Sequence, residues 1–236
     1  MEVKIAASKT RKYATSSSGD TVEVVERPQG GVSVVMADGQ SSGRGAKWIS
    51  TLVVRKVITL LAEGVRDGAA ARAASDSLYT ERNGKVSATL NIISVDQQTR
   101  TMVITRNNPA PALIAHNDEI RILDDPSQPV GLYRGTRPVI TELPLEIGLT
   151  ALVYTDGLVH AGARKSQQMD VASMFQELLE DEAPSPDFIA DSLLKHALSL
   201  DDNRPVDDIS VVTVSVLPLD GDEVRRMIVR LPLNIY

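Results

Sequence analysis

Aspartate residues lie at the ends of predicted strands in four separate parts of this sequence. They are Asp20 after Gly19, Asp38 before Gly39, Asp156 before Gly157, and Asp207 before Asp208. Hard divalent cations need several oxygen ligands, and carboxylates from distant segments can supply them once the fold brings those segments together. The pattern therefore predicts a metal site that is assembled by tertiary structure and not by one short loop.

Each of these aspartates also has a simpler interpretation when it is taken alone. An aspartate beside a strand is most often a turn former or a helix N-cap, because its carboxylate accepts hydrogen bonds from nearby backbone amides. We interpret Asp208 in this way, as a structural neighbour of Asp207, and the Asp201-Asp202 pair as the solvated end of a helix. The elements between the aspartates decide whether the four meet.

The N-terminal part of the sequence predicts a β-hairpin that carries two of the aspartates. Strands are predicted over residues 3–7, 21–26 and 31–37, and a turn rich in glycine joins the last two. An antiparallel hairpin places the residue before its first strand beside the residue after its second strand. We therefore expect Asp20 and Asp38 to lie together.

The rest of the chain alternates between amphipathic helices and further strands. Helices are predicted over 46–64, 69–79 with Asp67 as its N-cap, 169–180 and 187–200, and strands over 86–95, 101–105, 112–116, 120–123, 139–143, 150–154, 209–216 and 224–231. Runs of consecutive strands interrupted by helix pairs are typical of antiparallel sheets with helices on their outer faces. The sequence predicts an α+β fold of two stacked antiparallel β-sheets flanked by antiparallel helix pairs.

Composition limits the class of protein. The chain has 236 residues, of which 42% are hydrophobic and 24% charged, and we expect a single domain over 1–236. The net charge of −6 gives no general attraction for nucleic acid. The absence of cysteine excludes disulfides and thiolate metal sites. Without a signal peptide or a long apolar run, we expect a cytoplasmic protein with no membrane partner.

Four motifs give the chain a resemblance to a known family. They are Gly19-Asp20, Ala37-Asp38-Gly39 followed by Ser42-Gly43, Tyr154-Thr155-Asp156-Gly157-Leu158, and Asp207-Asp208-Ile209-Ser210. In order and spacing the sequence resembles the metal-dependent PPM (protein phosphatase 2C) family, in the branch of SpoIIE, RsbU and RsbX. It looks most similar to the RsbX-type stressosome phosphatases, because the chain resembles a bare catalytic domain and the turn after Asp38 has their Asp-Gly-x-x-Ser-Gly form.

Two short segments depart from the pattern of that branch. Ser41 stands where the branch usually has glycine, and Arg106-Asn107-Asn108 replaces Ala-Gly-His before a proline. The resemblance therefore leaves open which groups the end of that second segment contacts.

The resemblance implies two divalent cations, Mn²⁺ or Mg²⁺, at one edge of the stacked sheets. It implies that Asp38 bridges both ions. Asp20 and the backbone carbonyl of Gly39 would complete the protein ligands of one ion, and Asp156 and Asp207 those of the other. Two cations roughly 3.5–4 Å apart need bridging anionic oxygen, and such a pair activates a water for attack on phosphorus. The four aspartates would thus act in catalysis through that water.

The implied function is a protein serine/threonine phosphatase in bacterial stress signalling. Its substrate would be phosphoserine or phosphothreonine on a partner of the stressosome or STAS-domain type. Two alternatives stay open, a catalytically weak docking module with a phosphatase fold and a hydrolase of small phosphorylated metabolites. Neither nucleic acid nor a membrane is expected as a partner.

Two further features of the sequence have simple structural interpretations. Lys9, Arg11 and Lys12 form a basic cluster that could meet the substrate phosphate, although a solvated strand end is the simpler interpretation. Trp48 lies early in the first predicted helix, where packing is more usual than recognition.

Overall fold

The computed structural model describes residues 1–117, 119–180 and 184–232. In these residues ten strands and five α-helices are present. The strands are β1 (Glu2–Thr10), β2 (Asp20–Glu26), β3 (Val32–Gly39), β4 (Ala88–Asp96), β5 (Thr101–Asn107), β6 (Ala112–His116), β7 (Glu119–Leu123), β8 (Val139–Pro144), β9 (Thr150–Tyr154) and β10 (Ile209–Leu217). The helices are α1 (Gly43–Ala62), α2 (Asp67–Arg82), α3 (Asp156–His160), α4 (Val171–Leu179) and α5 (Pro186–Leu200).

The strands form two five-stranded sheets in which the paired neighbours are antiparallel. The first sheet has the order β1-β10-β9-β6-β7, and the second has the order β2-β3-β4-β5-β8. One apolar core lies between the sheets, a second lies between the second sheet and α1 with α2, and a third lies between the first sheet and α4 with α5. The predicted fold of two stacked sheets flanked by helices is confirmed.

Strand β3 shows why the central strands are apolar on both faces. Val34 and Met36 belong to the core between the sheets, whereas Val35 and Ala37 belong to the core under α1 and α2. Successive side chains of a strand point to opposite faces, so a strand buried on both sides reads as a continuous apolar run. That run delivers Asp38 to the edge of the sheet.

Two predictions about elements are wrong. Residues 224–231 form no strand, and the side chains of Ile228 and Val229 are 88% and 85% exposed, since this β-prone segment pairs with no ladder partner among the described residues. Asp67 is not the N-cap of α2 but its first residue, after Arg66. Its carboxylate is buried and forms an ion pair with Arg27, whose guanidinium donates a hydrogen bond to Oδ1 at 2.9 Å.

One helix start and one short helix also differ from the prediction. Helix α1 begins at Gly43, ahead of the apolar periodicity, and the five-residue helix α3 was not predicted. In the described part of the chain, no helix has the length and apolar character needed to cross a membrane.

Candidate metal centre

The β2–β3 hairpin brings together the first two aspartates. Asp20 and Asp38 are direct partners in the antiparallel register, and Asp38 and Gly39 lie opposite Thr89 and Ala88 of β4. The prediction that the hairpin places Asp20 beside Asp38 is confirmed. Both residues belong to the second sheet.

The other two aspartates come from the first sheet. Asp156 follows β9 as the first residue of α3, and Asp207 precedes β10. Because β9 and β10 are antiparallel neighbours with Tyr154 opposite Val211, the end of one strand lies near the start of the other. Asp38, Gly39, Asp156 and Asp207 then line one groove of about 520 Å³ between the ends of the two sheets.

The glycines of the two Asp-Gly pairs allow close backbone approaches. A Cβ at Gly39 would lie 2.0 Å from the Ala46 carbonyl oxygen, and a Cβ at Gly157 would lie 2.0 Å from that of Asp208. Any side chain at these positions would separate β3 from α1, or α3 from the start of β10. The glycines therefore hold the adjacent aspartates at the groove.

Hydroxyl groups from the first sheet hold one oxygen of Asp20. Ser210 Oγ donates to Asp20 Oδ2 at 2.6 Å and Thr155 Oγ1 donates to the same oxygen at 3.1 Å. The Thr155 hydroxyl in turn accepts from the Ser210 backbone amide at 2.9 Å. Asp20 is fully buried, and its Oδ1 accepts no hydrogen bond from a hydroxyl, amide or ammonium group within the described residues, while the Asp38 carboxyl lies within hydrogen-bonding reach of the Asp20 carboxylate. A buried carboxylate oxygen left in this state suits a cation.

Asp208 has a different environment from Asp207. Its Oδ1 accepts from the Lys12 amide and its Oδ2 from the Gly19 amide, both at 2.8 Å. Asp208 thus ties the turn after β1 to the segment before β2. Among the described residues, Asp207 accepts a hydrogen bond only from the Asp208 amide, and it lines the groove. The contacts favour Asp208 as a structural residue.

The crowded carboxylates shift each other's protonation. Burial, followed by the charges of Asp20 and Asp156, raises the pKa of Asp38 from 3.8 to about 9. Burial raises the pKa of Asp20 to about 6, against the opposing hydrogen bond from Ser210. Burial also raises the pKa of Asp207. This concentration of negative charge is the kind that a divalent cation neutralises.

The groove residues fit hard cations in their chemistry. No three acidic or histidine side chains in the described ranges already enclose a common point closely enough to hold an ion. The unpartnered oxygen of Asp20, the elevated pKa of Asp38 and the oxygen-only character of the set nevertheless match what Mg²⁺ or Mn²⁺ requires. Asp20, Asp38, Asp156, Asp207 and the Gly39 carbonyl are the oxygen donors that could hold such cations.

Lysine side chains surround the backbone of Asp20. Lys9 and Lys47 donate to its carbonyl oxygen at 3.0 and 2.8 Å. Burial, followed by the charge of Lys9, lowers the pKa of Lys47. Lys12 from the same predicted basic cluster lines the groove. The simple interpretation of this cluster as a solvated strand end is therefore incomplete.

Several residues that contact Asp20 were not predicted from the sequence. Thr155 and Ser210 lie inside the recognised motifs, and their hydroxyls next to the aspartates were a usable signal. Lys47 gave none, because its contact with Asp20 depends on how α1 packs against β2. 

The Arg106-Asn107-Asn108 segment has a structural role. The guanidinium of Arg106 is buried and donates to the carbonyl oxygens of Asn108, Ala110 and Asp125. Asn108 Nδ2 donates to the Tyr154 carbonyl at 3.1 Å, close to the end of β9. The departure from the branch pattern therefore braces the loop beside the strand that carries Asp156.

A family comparison covers most of these elements. The model of the family described as Stage II sporulation protein E (SpoIIE) matches residues 28–217. The chain belongs to the SpoIIE family. No curated protein sequence matches it. The SpoIIE family and its structural neighbours are PP2C-type serine/threonine phosphatases, so the prediction of an enzyme of this class is confirmed.

Solved structures show the SpoIIE-family fold in similar proteins. The PP2C phosphatase domain of SpoIIE from Bacillus subtilis, solved with a fragment of its regulatory domain, has a TM-score of 0.78 at 19% identity and covers 92% of this chain. The chain spans 64% of that protein's length. RsbX in complex with magnesium has a TM-score of 0.70 at 16% identity, with 91% of this chain and 95% of that one covered.

A third structure shows the same fold with a different metal. The catalytic domain of the serine/threonine protein phosphatase PstP, in complex with two manganese ions, has a TM-score of 0.68 at 17% identity. The alignment covers 92% of this chain and 99% of that one. Identities of this size establish the shared fold and leave the predicted similarity to RsbX-type proteins as a prediction.

Proposed function

We propose that this chain hydrolyses phosphoserine and phosphothreonine on a protein partner with the help of two divalent cations, Mn²⁺ or Mg²⁺. The observation that carries the proposal is the meeting of carboxylates from both sheets at one groove, where burial, followed by their mutual charge, raises the pKa of Asp38. When bound, the cations supply an activated water and neutralise charge on the phosphoryl oxygens.

The proposed roles follow from position. Asp38 lies beside Asp20 in the hairpin and also lines the groove with Asp156 and Asp207, which supports a bridging role. Asp20 and the Gly39 carbonyl would hold one ion, and Asp156 and Asp207 would hold the other. Bridging anionic oxygen is needed because two close cations repel each other.

Residues of the chain also orient the substrate and fix the ligands. Lys12 is the one positively charged residue among the described residues that line this groove, and its ammonium suits a phosphoryl oxygen. Its backbone amide is fixed by Asp208. Thr155 and Ser210 hold the Asp20 carboxylate in place, so that the ligand does not have to reorganise as charge moves to the leaving oxygen.

The test is hydrolysis of p-nitrophenyl phosphate and of a phosphoserine peptide with Mn²⁺, with Mg²⁺ and in EDTA. We expect turnover only with a cation, and Asp38→Asn should lower kcat by about a hundredfold or more, because several kcal/mol of charge stabilisation is lost. Glu142→Gln removes an exposed carboxylate on β8 and serves as the matched control. Full activity of Asp38→Asn, or of the wild type in EDTA, would contradict the proposal.

The finer proposal concerns the biological setting. We propose one catalytic domain over residues 1–236 that acts in the cytoplasm on a phosphorylated STAS-domain or stressosome protein, as an RsbX-type enzyme does. Recovery of such phosphoproteins on an immobilised Asp38→Asn variant, followed by their dephosphorylation by the wild type, supports this assignment. Preferential turnover of small phosphorylated metabolites over phosphopeptides contradicts it.

A docking module remains the competing function. It is favoured by the absence of a closed ligand group among the described side chains. Calorimetry separates the two, because the phosphatase must bind Mn²⁺ or Mg²⁺ whereas a docking module needs no cation to bind its partner.

A further inference from the structure

Helix α1 carries an unusual charge for this protein. Its 20 residues include four basic side chains, Arg44, Lys47, Arg55 and Lys56, and no acidic one, in a chain of net charge −6. Two of these cations lie near the helix N-terminus, where the helix dipole already favours negative charge. The arrangement lowers the intrinsic stability of the helix end and leaves it electrostatically suited to an anion.

Three of the four basic residues line one groove on the outer side of α1. The groove has a volume of about 440 Å³, and its lining includes Arg44, Lys47 and Arg55 together with Trp48 and Leu52. Trp48 is 43% exposed, and the Arg82 guanidinium from α2 lies 4.1 Å from the centre of its ring. The indole therefore does not act as a core residue, contrary to the simple interpretation of its sequence position.

The charges of this groove are incompletely neutralised by the protein itself. Lys47 donates to the Asp20 carbonyl and the Thr21 hydroxyl. The carboxylates of Asp20, Glu23 and Asp208 partly neutralise its charge. The guanidinium groups of Arg44 and Arg55 form no ion pair within the described ranges. Arginine and an exposed indole are the residue types that most often contribute binding energy at protein interfaces.

We propose that this basic groove binds an acidic segment of the phosphoprotein substrate. Carboxylates of that segment pair with Arg44 and Arg55, and its apolar atoms pack on Trp48. The proposal rests on the proposed phosphatase function for the identity of the partner. An acidic peptide is favoured because the groove combines separated cations with an apolar surface, which two different parts of one peptide can satisfy.

The length of the basic groove sets the spacing between the acidic residues of the bound segment. Ser42 lines the groove of the aspartates, and Arg44, two positions later, lines the basic groove. From Arg44 to Arg55 the helix extends about 16 Å, because each helical residue rises 1.5 Å. An extended peptide covers that distance in about five residues. Two acidic residues that contact Arg44 and Arg55 should therefore lie about five residues apart in the bound segment, on one side of the phosphorylated residue.

Trp48 is the sole tryptophan of the chain, so its fluorescence reports directly on the groove. The probes are two unphosphorylated peptides of equal length, one with four Asp or Glu residues and one with Asn or Gln in their place. We expect only the acidic peptide to change the emission of Trp48. The double variant Arg44→Gln/Arg55→Gln should weaken that binding about fivefold or more, on the scale of two partly exposed charge pairs.

Lys56→Gln is the matched control, because Lys56 is an exposed cation of the same helix that does not line the groove. It should alter the affinity less than twofold. Equal binding of the neutral peptide, or an equal effect of Lys56→Gln and the double variant, would overturn the proposal. Tighter binding of a single-stranded oligonucleotide than of the acidic peptide would overturn it as well, in favour of a nucleic-acid site.

Turnover then separates this proposal from the phosphatase assignment. Wild-type protein should hydrolyse a phosphopeptide with an acidic flank at a higher kcat/KM than its neutral counterpart, and the double variant should lose this preference through a higher KM. If p-nitrophenyl phosphate is hydrolysed but the two phosphopeptides react equally, the groove proposal alone fails. If nothing is hydrolysed while acidic peptides still bind at Trp48, the phosphatase assignment alone fails.

Discussion

The Asp38 carboxylate is held in a state that an isolated aspartate does not adopt. Burial raises its pKa to about 9, and the charges of Asp20 and Asp156 act in the same direction. The metal-free protein therefore keeps a proton on Asp38 at neutral pH, and a cation must displace that proton to bind. Cation affinity should consequently increase as the pH rises.

The same shift predicts how the metal-free protein responds to pH. In the unfolded chain Asp38 loses its proton near its ordinary pKa of 3.8, whereas the folded protein retains it until about pH 9. Between these values the folded state binds more protons, so the free energy of unfolding should fall as the pH rises from about 4 to about 9. Urea denaturation in EDTA at several pH values measures this slope.

The variant Asp38→Asn identifies the source of the slope. It removes the titrating group, so the dependence on pH should flatten and the metal-free protein at pH 8 should gain about 1–3 kcal/mol. Glu142→Gln should keep the wild-type slope. A slope that persists unchanged in Asp38→Asn would show that other groups produce it.

The backbone conformation of Ser41 leads to a second prediction at the residue scale. Its φ of 82° lies in the left-handed region, which disfavours any residue with a Cβ. Ser41→Gly should stabilise the protein by about 0.5–1 kcal/mol, because relief of about 1–2 kcal/mol of backbone strain exceeds the added entropy of the unfolded chain. Ser42 has an extended φ of −145°, so Ser42→Gly should give no such gain. Both are measured by chemical denaturation.

At the scale of elements, the approach of α3 to the start of β10 depends on one missing Cβ. Gly157→Ala would place a methyl group 2.0 Å from the Asp208 carbonyl oxygen, and the two elements would have to separate. We expect a loss of about 2–3 kcal/mol in unfolding free energy. Gly45 in α1 has open space around its Cα, and Gly45→Ala should instead add about 0.5–1 kcal/mol. Similar effects of the two substitutions would contradict the packing argument.

The elements that were predicted well are those in which the buried positions give a clear pattern of apolar residues in the sequence. Strand β3 is buried on both faces, and α1 has an apolar stripe, so each was recognisable from local periodicity. Helix α3 has five residues and too few turns to show a period. Residues 224–231 hold three β-branched residues in eight, against six in nine for β10, and β10 lies between two partner strands. A weaker β pattern and the lack of a ladder partner among the described residues together explain why 224–231 forms no strand.

In the candidate site too, some residues could be recognised from local sequence patterns and others could not. The four aspartates were recognisable because their motifs carry them in a fixed order. The contacts of Lys47 and Arg106 were not, because each joins segments that are distant in the sequence. Arg106 donates to the carbonyl oxygens of Asn108 and Asp125. No local sequence pattern predicts that an arginine will be buried in this way. The order of motifs thus predicted the four aspartates of the candidate site, whereas the groups that position them could be seen only in the fold.

At the scale of the whole molecule, the candidate metal centre lies where the ends of the two sheets meet. Asp20 and Asp38 belong to the second sheet, and Asp156 and Asp207 adjoin strands of the first. Without cations, burial and the repulsion from the charges of Asp20, Asp156 and Asp207 oppose the ionisation of Asp38 at this edge. Bound cations would replace that repulsion with shared ligands. The centre should therefore contribute to the stability of the sandwich as well as to chemistry.

Thermal melting with increasing Mn²⁺ tests this contribution. A cation at one hundred times its Kd adds about 2.7 kcal/mol per site, so the Tm should rise by several degrees. Asp38→Asn should lose most of the increase, whereas Glu142→Gln should retain it. Hydrogen exchange gives the sharper readout, because a ligand set drawn from both sheets should protect amides at the start of β2 and at the start of β10 together. Protection confined to one of these strands would mean that the ions are held by one sheet, and the shared centre would have to be abandoned.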